Sequence, residues 1–275
     1  MSSIPGAPGD GARGAGEMQE TDRDYVILLP EDHVVLGEYD FGMPGLTGIE
    51  SIGPFNEIQA SGPLITVHDS VVDAGLGIGH HPHRSNERLF FIERGQLDHD
   101  DALNGITGHM DDGDVGEFTE GRRGMIHSEW NHGDVDTRAF ILVYTTDPVP
   151  ERAAFDVLKD AEAPRHEEDG VGTKELVGPT SRLRVHGDIR YFAETRLDAG
   201  TSIEIEFGDD EGGLVSVREG ETVLDGRSLA AGTTVVWAPG PARAARLEAA
   251  SPSRIVRVIH GPGEGFLTGR PMPRR

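Results

Sequence analysis

The sequence predicts an all-β fold built from two similar halves, and three observations predict it. Short runs rich in Val, Ile, Phe and Thr recur between turn-forming residues, with turns roughly every 8–12 residues, the pattern of a β-sandwich or barrel. Glycine (38) and proline (17) are abundant in the 275 residues, which favours turns over long helices. Leu214-Val215-Ser216-Val217-Arg218-Glu219-Gly220 echoes Leu89-Phe90-Phe91-Ile92-Glu93-Arg94-Gly95 at a displacement of 125, and Ala231-Gly232-Thr233 echoes Asp112-Gly113-Asp114 at 119. One fold is used twice.

In chain order, residues 1–23 are Gly, Ala, Ser and Pro with scattered charge and are expected to form a disordered tail. Residues 24–147 are expected to form the first β unit. Its strands begin at Tyr25-Val26-Ile27-Leu28-Leu29 and His33-Val34-Val35-Leu36-Gly37, and a loop broken by Pro44 and Pro54 runs to Pro63. Leu64-Ile65-Thr66-Val67, Ser70-Val71-Val72, Leu89-Phe90-Phe91-Ile92 and Ala139-Phe140-Ile141-Leu142 continue it, and Asn104-Gly105 marks a hairpin. Residues 148–172 read as a linker. Within it 151–160 is expected to form a short helix, because Phe155 and Leu158 stand three apart, and the acidic run 166–170 a solvated loop. Residues 173–275 form the second unit, in which Ile203, Ile205 and Phe207 alternate with Glu204 and Glu206.

Charge and composition narrow the function. Lys+Arg 25 against Asp+Glu 48 gives a net charge of −23, a field that repels nucleic-acid backbones and acidic membrane surfaces. With no cysteine, disulfides, thiolate zinc sites, Cys-held iron–sulfur clusters and Cys nucleophiles are all excluded. Any metal must be held by His and carboxylate, a set suited to iron, manganese, copper, nickel or zinc. No apolar run is long enough for a membrane helix and no basic-then-apolar signal opens the chain, so a cytoplasmic location is expected.

Two stretches carry chemistry: Gly79-His80-His81-Pro82-His83-Arg84-Ser85-Asn86-Glu87 and Gly124-Met125-Ile126-His127-Ser128-Glu129. On a strand, residues i and i+2 share a face about 6.6–6.8 Å apart. Two imidazoles at that spacing can lean onto one ion, each nitrogen about 2.0–2.1 Å from it for a zinc-like metal. His81, His83, His127 and Glu129 are therefore expected to bind one metal ion. His80 is out of phase and should face away. Glu87 is either a hydrogen-bond acceptor behind a ligand imidazole or an ordinary strand-edge acid. His99 is expected to cap a turn in preference to coordinating the metal, His109 and His132 to lie on the surface, and His186 and His260 to be structural. Arg122 and Arg123 either draw an acidic substrate or are solvated turn residues; Met125 and Trp130 line a pocket or belong to the core. Three neutral imidazoles and one carboxylate leave a divalent ion with net +1, which favours an anionic fifth ligand and makes Glu129 a candidate base as well.

His81-Pro82-His83-Arg84 with Glu87, the run from Arg94-Gly95-Gln96-Leu97-Asp98-His99 to Gly105, Gly113-Asp114-Val115 and Gly124-Met125-Ile126-His127-Ser128-Glu129 together resemble the pirin family, a branch of the bicupin proteins. The resemblance covers most of residues 24–144 and continues more weakly through the second half. It implies two stacked cupin-type β-barrels, the N-terminal one holding iron or a similar metal on His81, His83, His127 and Glu129. It also implies one divalent ion, Fe(II) foremost with Mn, Cu, Ni, Co or Zn compatible, and either quercetinase-like cleavage of a small aromatic substrate such as a flavonol or a non-enzymatic redox sensor that binds a protein partner. A small-molecule isomerase on the same scaffold is a third reading with less support. The second half keeps the scaffold without the ligands, since the two displacements carry His81 onto Glu206 and His127 onto Arg246. Two departures lie near the metal mouth. Ser85-Asn86 stands where the family usually has Gly-Phe, and Gly121-Arg122-Arg123-Gly124 is one residue longer than the usual Gly-Arg-Gly.

Overall fold

The structure, a computed structural model, describes residues 24–273; the expected tail lies outside them. It is nearly all β, in four sheets. Sheet I pairs Ala154–Leu158, Val115–Thr119, Asn86–Arg94, Thr137–Thr145, Leu64–Val72, Leu46–Ile52 and Val34–Leu36 in that order. Sheet II pairs Gly77–His83, Met125–Trp130, Leu97–Asp101 and Ile106–Met110. Sheet III runs Tyr25–Leu28, Thr234–Gly240, Glu211–Glu219, Ser253–His260, Ile189–Leu197, Val171–Val177 and Arg165–Glu168, and sheet IV Ser202–Phe207, Arg243–Ala249, Glu221–Leu224 and Arg227–Ala230. The strand order of III and IV reproduces that of I and II. Asn86–Arg94 and Glu211–Glu219, 125 residues apart, take the same place in their sheets.

The apolar run Leu89-Phe90-Phe91-Ile92 is continuous rather than alternating because sheet I is covered on both faces. Phe90 and Ile92 join Leu97, Met110, Phe118 and Met125 in a core between sheets I and II. Leu89 and Phe91 join Phe192, Leu214, Val236 and Val258 in a second core between sheets I and III. Val215, Val217, Ile205, Phe207 and Leu247 build a third within the second half. The sheets form sandwiches, not closed barrels. No helix among the described residues is long and apolar enough to cross a membrane.

Several expected elements differ. The segment 151–160 is not helical: Ala154–Leu158 is a strand paired with Val115–Thr119, followed by one 3-10 turn at Asp160–Glu162. Its apolar residues satisfy a helical stripe equally well, but the open edge of Val115–Thr119 needs backbone partners. The acidic run 166–170 is a hairpin, Arg165–Glu168 against Val171–Val177, turning at Asp169 and Gly170 with φ of 48° and 79°. The stretch read as loop before Pro63 holds two strands, Leu46–Ile52 and Ile58–Ser61. The chain ends cross between halves. Tyr25–Leu28 pairs with sheet III, and Phe266–Thr268 pairs with Ile58–Ser61 of the first half.

Alternation also decides which polar groups meet between the halves. Glu87 and Glu93 share the face of Leu89 and Phe91, towards sheet III. Glu93 accepts hydrogen bonds from Arg218 Nε at 2.9 Å and Arg254 Nη1 at 2.6 Å, and Arg218 also reaches Asp69 at 2.8 Å. Burial alone would raise the Glu93 carboxyl; the Arg218 and Arg254 guanidinium groups outweigh it and hold the carboxyl below its ordinary range. At the other end, Glu87 accepts from the His186 backbone N–H at 2.8 Å, the His186 ring Nδ1 at 2.8 Å and the Gly187 N–H at 2.9 Å. Burial, and then the adjacent Glu87, push Glu117 up to about 9, so it is protonated and bonds the Glu87 carboxylate.

Glu93→Gln removes the buried counter-charge shared by two guanidinium groups and leaves Arg218 with Asp69 and Arg254 with Glu194 and Glu219, so urea unfolding is expected to show a loss of about 3 kcal/mol, the low end for a broken buried pair. Adding Arg218→Met should recover part of that loss. Glu117 titrates with the opposite sign to Glu93. Its folded-state value is raised, so its contribution is full below the unfolded carboxylate range and is lost as pH rises through about 9. Glu117→Gln, whose amide stays neutral, should flatten the decline in melting temperature between about pH 5 and 9.

Candidate metal centre

Sheet II brings the two motifs together. Met125–Trp130 pairs antiparallel with Gly77–His83, placing His127 opposite His81 and Met125 opposite His83. The turn before it depends on Gly124, at φ 86°, where a Cβ would lie 2.5 Å from the His83 carbonyl oxygen. Ser85 turns the chain from Gly77–His83 into Asn86–Arg94 with φ of 76°. A side chain at that angle costs about 1–2 kcal/mol that glycine would not incur, which gives the departure at this position a physical meaning.

The rings of His81, His83 and His127 form a near-equilateral triangle, with centroids 4.7, 4.6 and 4.9 Å apart. Their donor atoms lie within 4.8 Å of one another. His81 Nδ1 donates to the Gly79 carbonyl at 2.8 Å, which leaves Nε2 with a free lone pair. Arg88 Nη2 stands 2.6 Å from His83 Nδ1, and Arg88 Nε donates to the buried Glu120 at 2.7 Å. The guanidinium beside Nδ1 disfavours a positive charge on the His83 ring. Burial, then Arg88, push the His83 imidazolium down to about 2, and burial lowers His81 as well.

Glu129 sits just past a bulge and pairs with Ile78. Its Oε1 is 2.9 Å from His127 Nδ1, a close polar contact whose alignment falls short of a hydrogen bond. Burial would raise the carboxyl, but the neighbouring His127, His81 and Arg88 hold it below its ordinary value. Its donor oxygen groups with His127 and His99, not with the His81–His83–His127 triangle.

His99 is where sequence reasoning missed a residue of the site. It is no turn cap: it lies on Leu97–Asp101, opposite Glu129 across the ladder, and is 2% exposed. Asp101 caps the turn instead, accepting from the Leu103 and Ile126 N–H groups at 3.0 and 3.1 Å. The His99 ring stacks on Phe155 and meets Phe118 edge-on, both at 4.8 Å, and lies 5.3 Å from His127. Burial, then His127, lower it to about 4. The signal was the alternation of Leu97, His99 and Asp101, which puts His99 on the same face as an apolar anchor.

Glu87 plays neither expected role, because its side chain leaves the other face of sheet I; its neighbour Arg88 is the residue that reaches the His83 imidazole. His80 points outward to Asp100 at 3.2 Å. His109 bonds Asp98 and Asp111, and exposed Trp130 stacks on His132. Met125 belongs to the core. Arg122 is fastened to the Val149 carbonyl and Glu151, and Arg123 is exposed. His186 holds Glu87, and buried His260 lies within hydrogen-bond distance of Ser61 Oγ and the Gly261 carbonyl.

The donors fit a divalent transition metal. Both ring nitrogens of His99 and His127 and Oε2 of Glu129 are buried with no hydrogen-bond partner among the described residues. Each such orphan costs about 1–3 kcal/mol unless something bonds it. Imidazole with carboxylate is a donor set such ions accept.

The family model described as Pirin matches residues 41–145, the stretch holding every residue of the centre. The quercetin 2,3-dioxygenase of Escherichia coli K12 is 26% identical over 172 residues, 59% of this chain and 68% of that protein. Pirin-1 of Arabidopsis thaliana is 26% identical over 187 residues, 65% of this chain and 64% of its own length. The structure of the bacterial pirin YhhW from E. coli in complex with nickel(II) superposes with a TM-score of 0.70 at 17% identity, covering 86% of this chain and 99% of that one. From the motifs and these matches, residues 41–145 are similar to the Pirin family domain, and the doubled β-sandwich around them is the fold of the pirin structures.

Proposed function

We propose that this protein is a metal-dependent dioxygenase that opens the ring of flavonol-like substrates, with His81, His83, His127 and Glu129 holding one divalent ion. The observation that carries the reading is the convergence of three imidazoles beside a buried carboxylate with an unpartnered oxygen. Relatives named quercetin 2,3-dioxygenase support the substrate class. When bound, a redox-capable ion supplies a Lewis acid that acidifies a hydroxyl brought to it and a route for electrons to dioxygen.

The chain's own groups do the rest. Glu129, kept ionised by its neighbours, takes the proton of the substrate hydroxyl. The Gly79 carbonyl fixes the His81 ring so that its lone pair faces inward. Phe118 and Phe155 keep water from the inner side of the centre. A second reading, a redox-responsive module that binds a protein partner, is favoured by Ile126 and Trp130. They alternate with His127 and Glu129 and are 39% and 37% exposed, so a shift of the ligand strand reaches the surface directly.

Stripped protein reloaded separately with Fe(II), Mn, Co, Ni or Cu is expected to bleach quercetin under air and consume dioxygen with at least one ion. His127→Ala should abolish both. Glu129→Gln should weaken metal binding and, at saturating metal, lower turnover by about 10²–10⁴-fold, the range for loss of a positioned base. Full metal loading with no turnover by any ion would leave the partner-binding reading in its place.

A further inference from the structure

We propose that His99 is a metal-binding residue: with His127 and Glu129 it forms an inner position for a divalent transition-metal ion, adjoining the His81–His83–His127 triangle and sharing His127 and Glu129 with the ion position proposed above. The inference rests on the metal reading above and extends it to a residue outside the four expected ligands.

The register sets up the inner position. Met125–Trp130 is flanked on both sides. Gly77–His83 brings His81 opposite His127, and Leu97–Asp101 brings His99 opposite Glu129. The strand bearing His127 and Glu129 therefore receives donors from each neighbour. The donor atoms of His99, His127 and Glu129 lie within 4.8 Å of one another, and all three side chains are buried.

Polar satisfaction points the same way. In the outer rings one nitrogen is already engaged, His81 Nδ1 by the Gly79 carbonyl and His83 Nδ1 by Arg88. His99 has neither nitrogen engaged and is 2% exposed. A buried imidazole with two idle nitrogens is costly, and the surrounding groups do not relieve it: Phe155 covers one face and Phe118 abuts the edge. Those same aromatic contacts fix the ring, so a ligand there loses little rotamer freedom on binding. The side chain making this packing possible is Phe155, which occupies the space a side chain at Gly108 would fill.

The test titrates metal-free protein with Co²⁺ against a chelating indicator and records the visible spectrum. His99→Gln is expected to weaken Co²⁺ binding at least about tenfold and to shift the visible bands, with the melting temperature of the metal-free protein measured alongside. His81→Ala should still bind Co²⁺, and adding His99→Gln to it should remove that binding. Wild-type affinity and spectrum in His99→Gln would overturn the inner position while leaving the metal reading intact. Absence of Co²⁺ binding in the wild type would overturn both. A second measurement needs no variant: in ¹⁵N-labelled wild type, Zn²⁺ should move a His99 ring nitrogen resonance, and an unmoved His99 with shifted His127 would overturn the proposal.

Discussion

The strand Asn86–Arg94 is buried on both faces, and this constraint organises the molecule. Successive side chains point to opposite sides, so one residue in two serves the chamber beneath sheet II and the next serves the contact with sheet III. Arg88, Phe90 and Ile92 face the histidine cluster; Glu87, Leu89, Phe91 and Glu93 face the other half. A shift of one residue would exchange the two sets and bring Glu87 and Glu93 among the imidazoles. The register is held by pairing on both edges, with Val115–Thr119 and Thr137–Thr145.

The second half supports this strand through positions related by the repeat. Glu93 and Arg218 stand 125 residues apart, the displacement that relates the echoing segments, and they bond one another across the interface. Duplication thus placed equivalent positions face to face, where opposite charges satisfy each other. In sheet IV the counterpart of the His81 strand carries Ile203, Ile205 and Phe207 towards the core of its own sandwich. A packed apolar interior occupies there what polar donors occupy in sheet II.

The doubled β architecture was legible because alternation and turn residues are local signals, and because the repeat survives at Leu89–Gly95 spacing without gaps. The pairing of His81, His83, His127 and Glu129 into two strand motifs was legible for the same reason. What the sequence hid was non-local. Ala154–Leu158 becomes a strand because a sheet edge awaits it, and Phe155 then reaches His99, 56 residues earlier in the chain. Glu87 follows His83 closely enough to suggest a shared role, yet the turn at Ser85 carries it to a different sheet and the opposite face. His99 looked like turn chemistry because acids surround it, although its own parity with Leu97 pointed inward.

Burial does two things at the metal centre, and they reinforce each other. Removing imidazoles from water disfavours their charged forms, and His81, His83 and His99 are all lowered chiefly for that reason. At neutral pH a cation therefore meets neutral rings and displaces no imidazolium proton from them, so the usual loss of affinity through proton competition sets in only in acid. The carboxylate of Glu129 stays ionised in the same surroundings because those rings and Arg88 stand beside it. Arg88 is the one element working against a cation, and Glu120, buried and bonded to it, offsets part of that charge. The lowered imidazoles of His81, His83 and His99 thus stand near a buried carboxylate, in low dielectric where a divalent ion gains most from it.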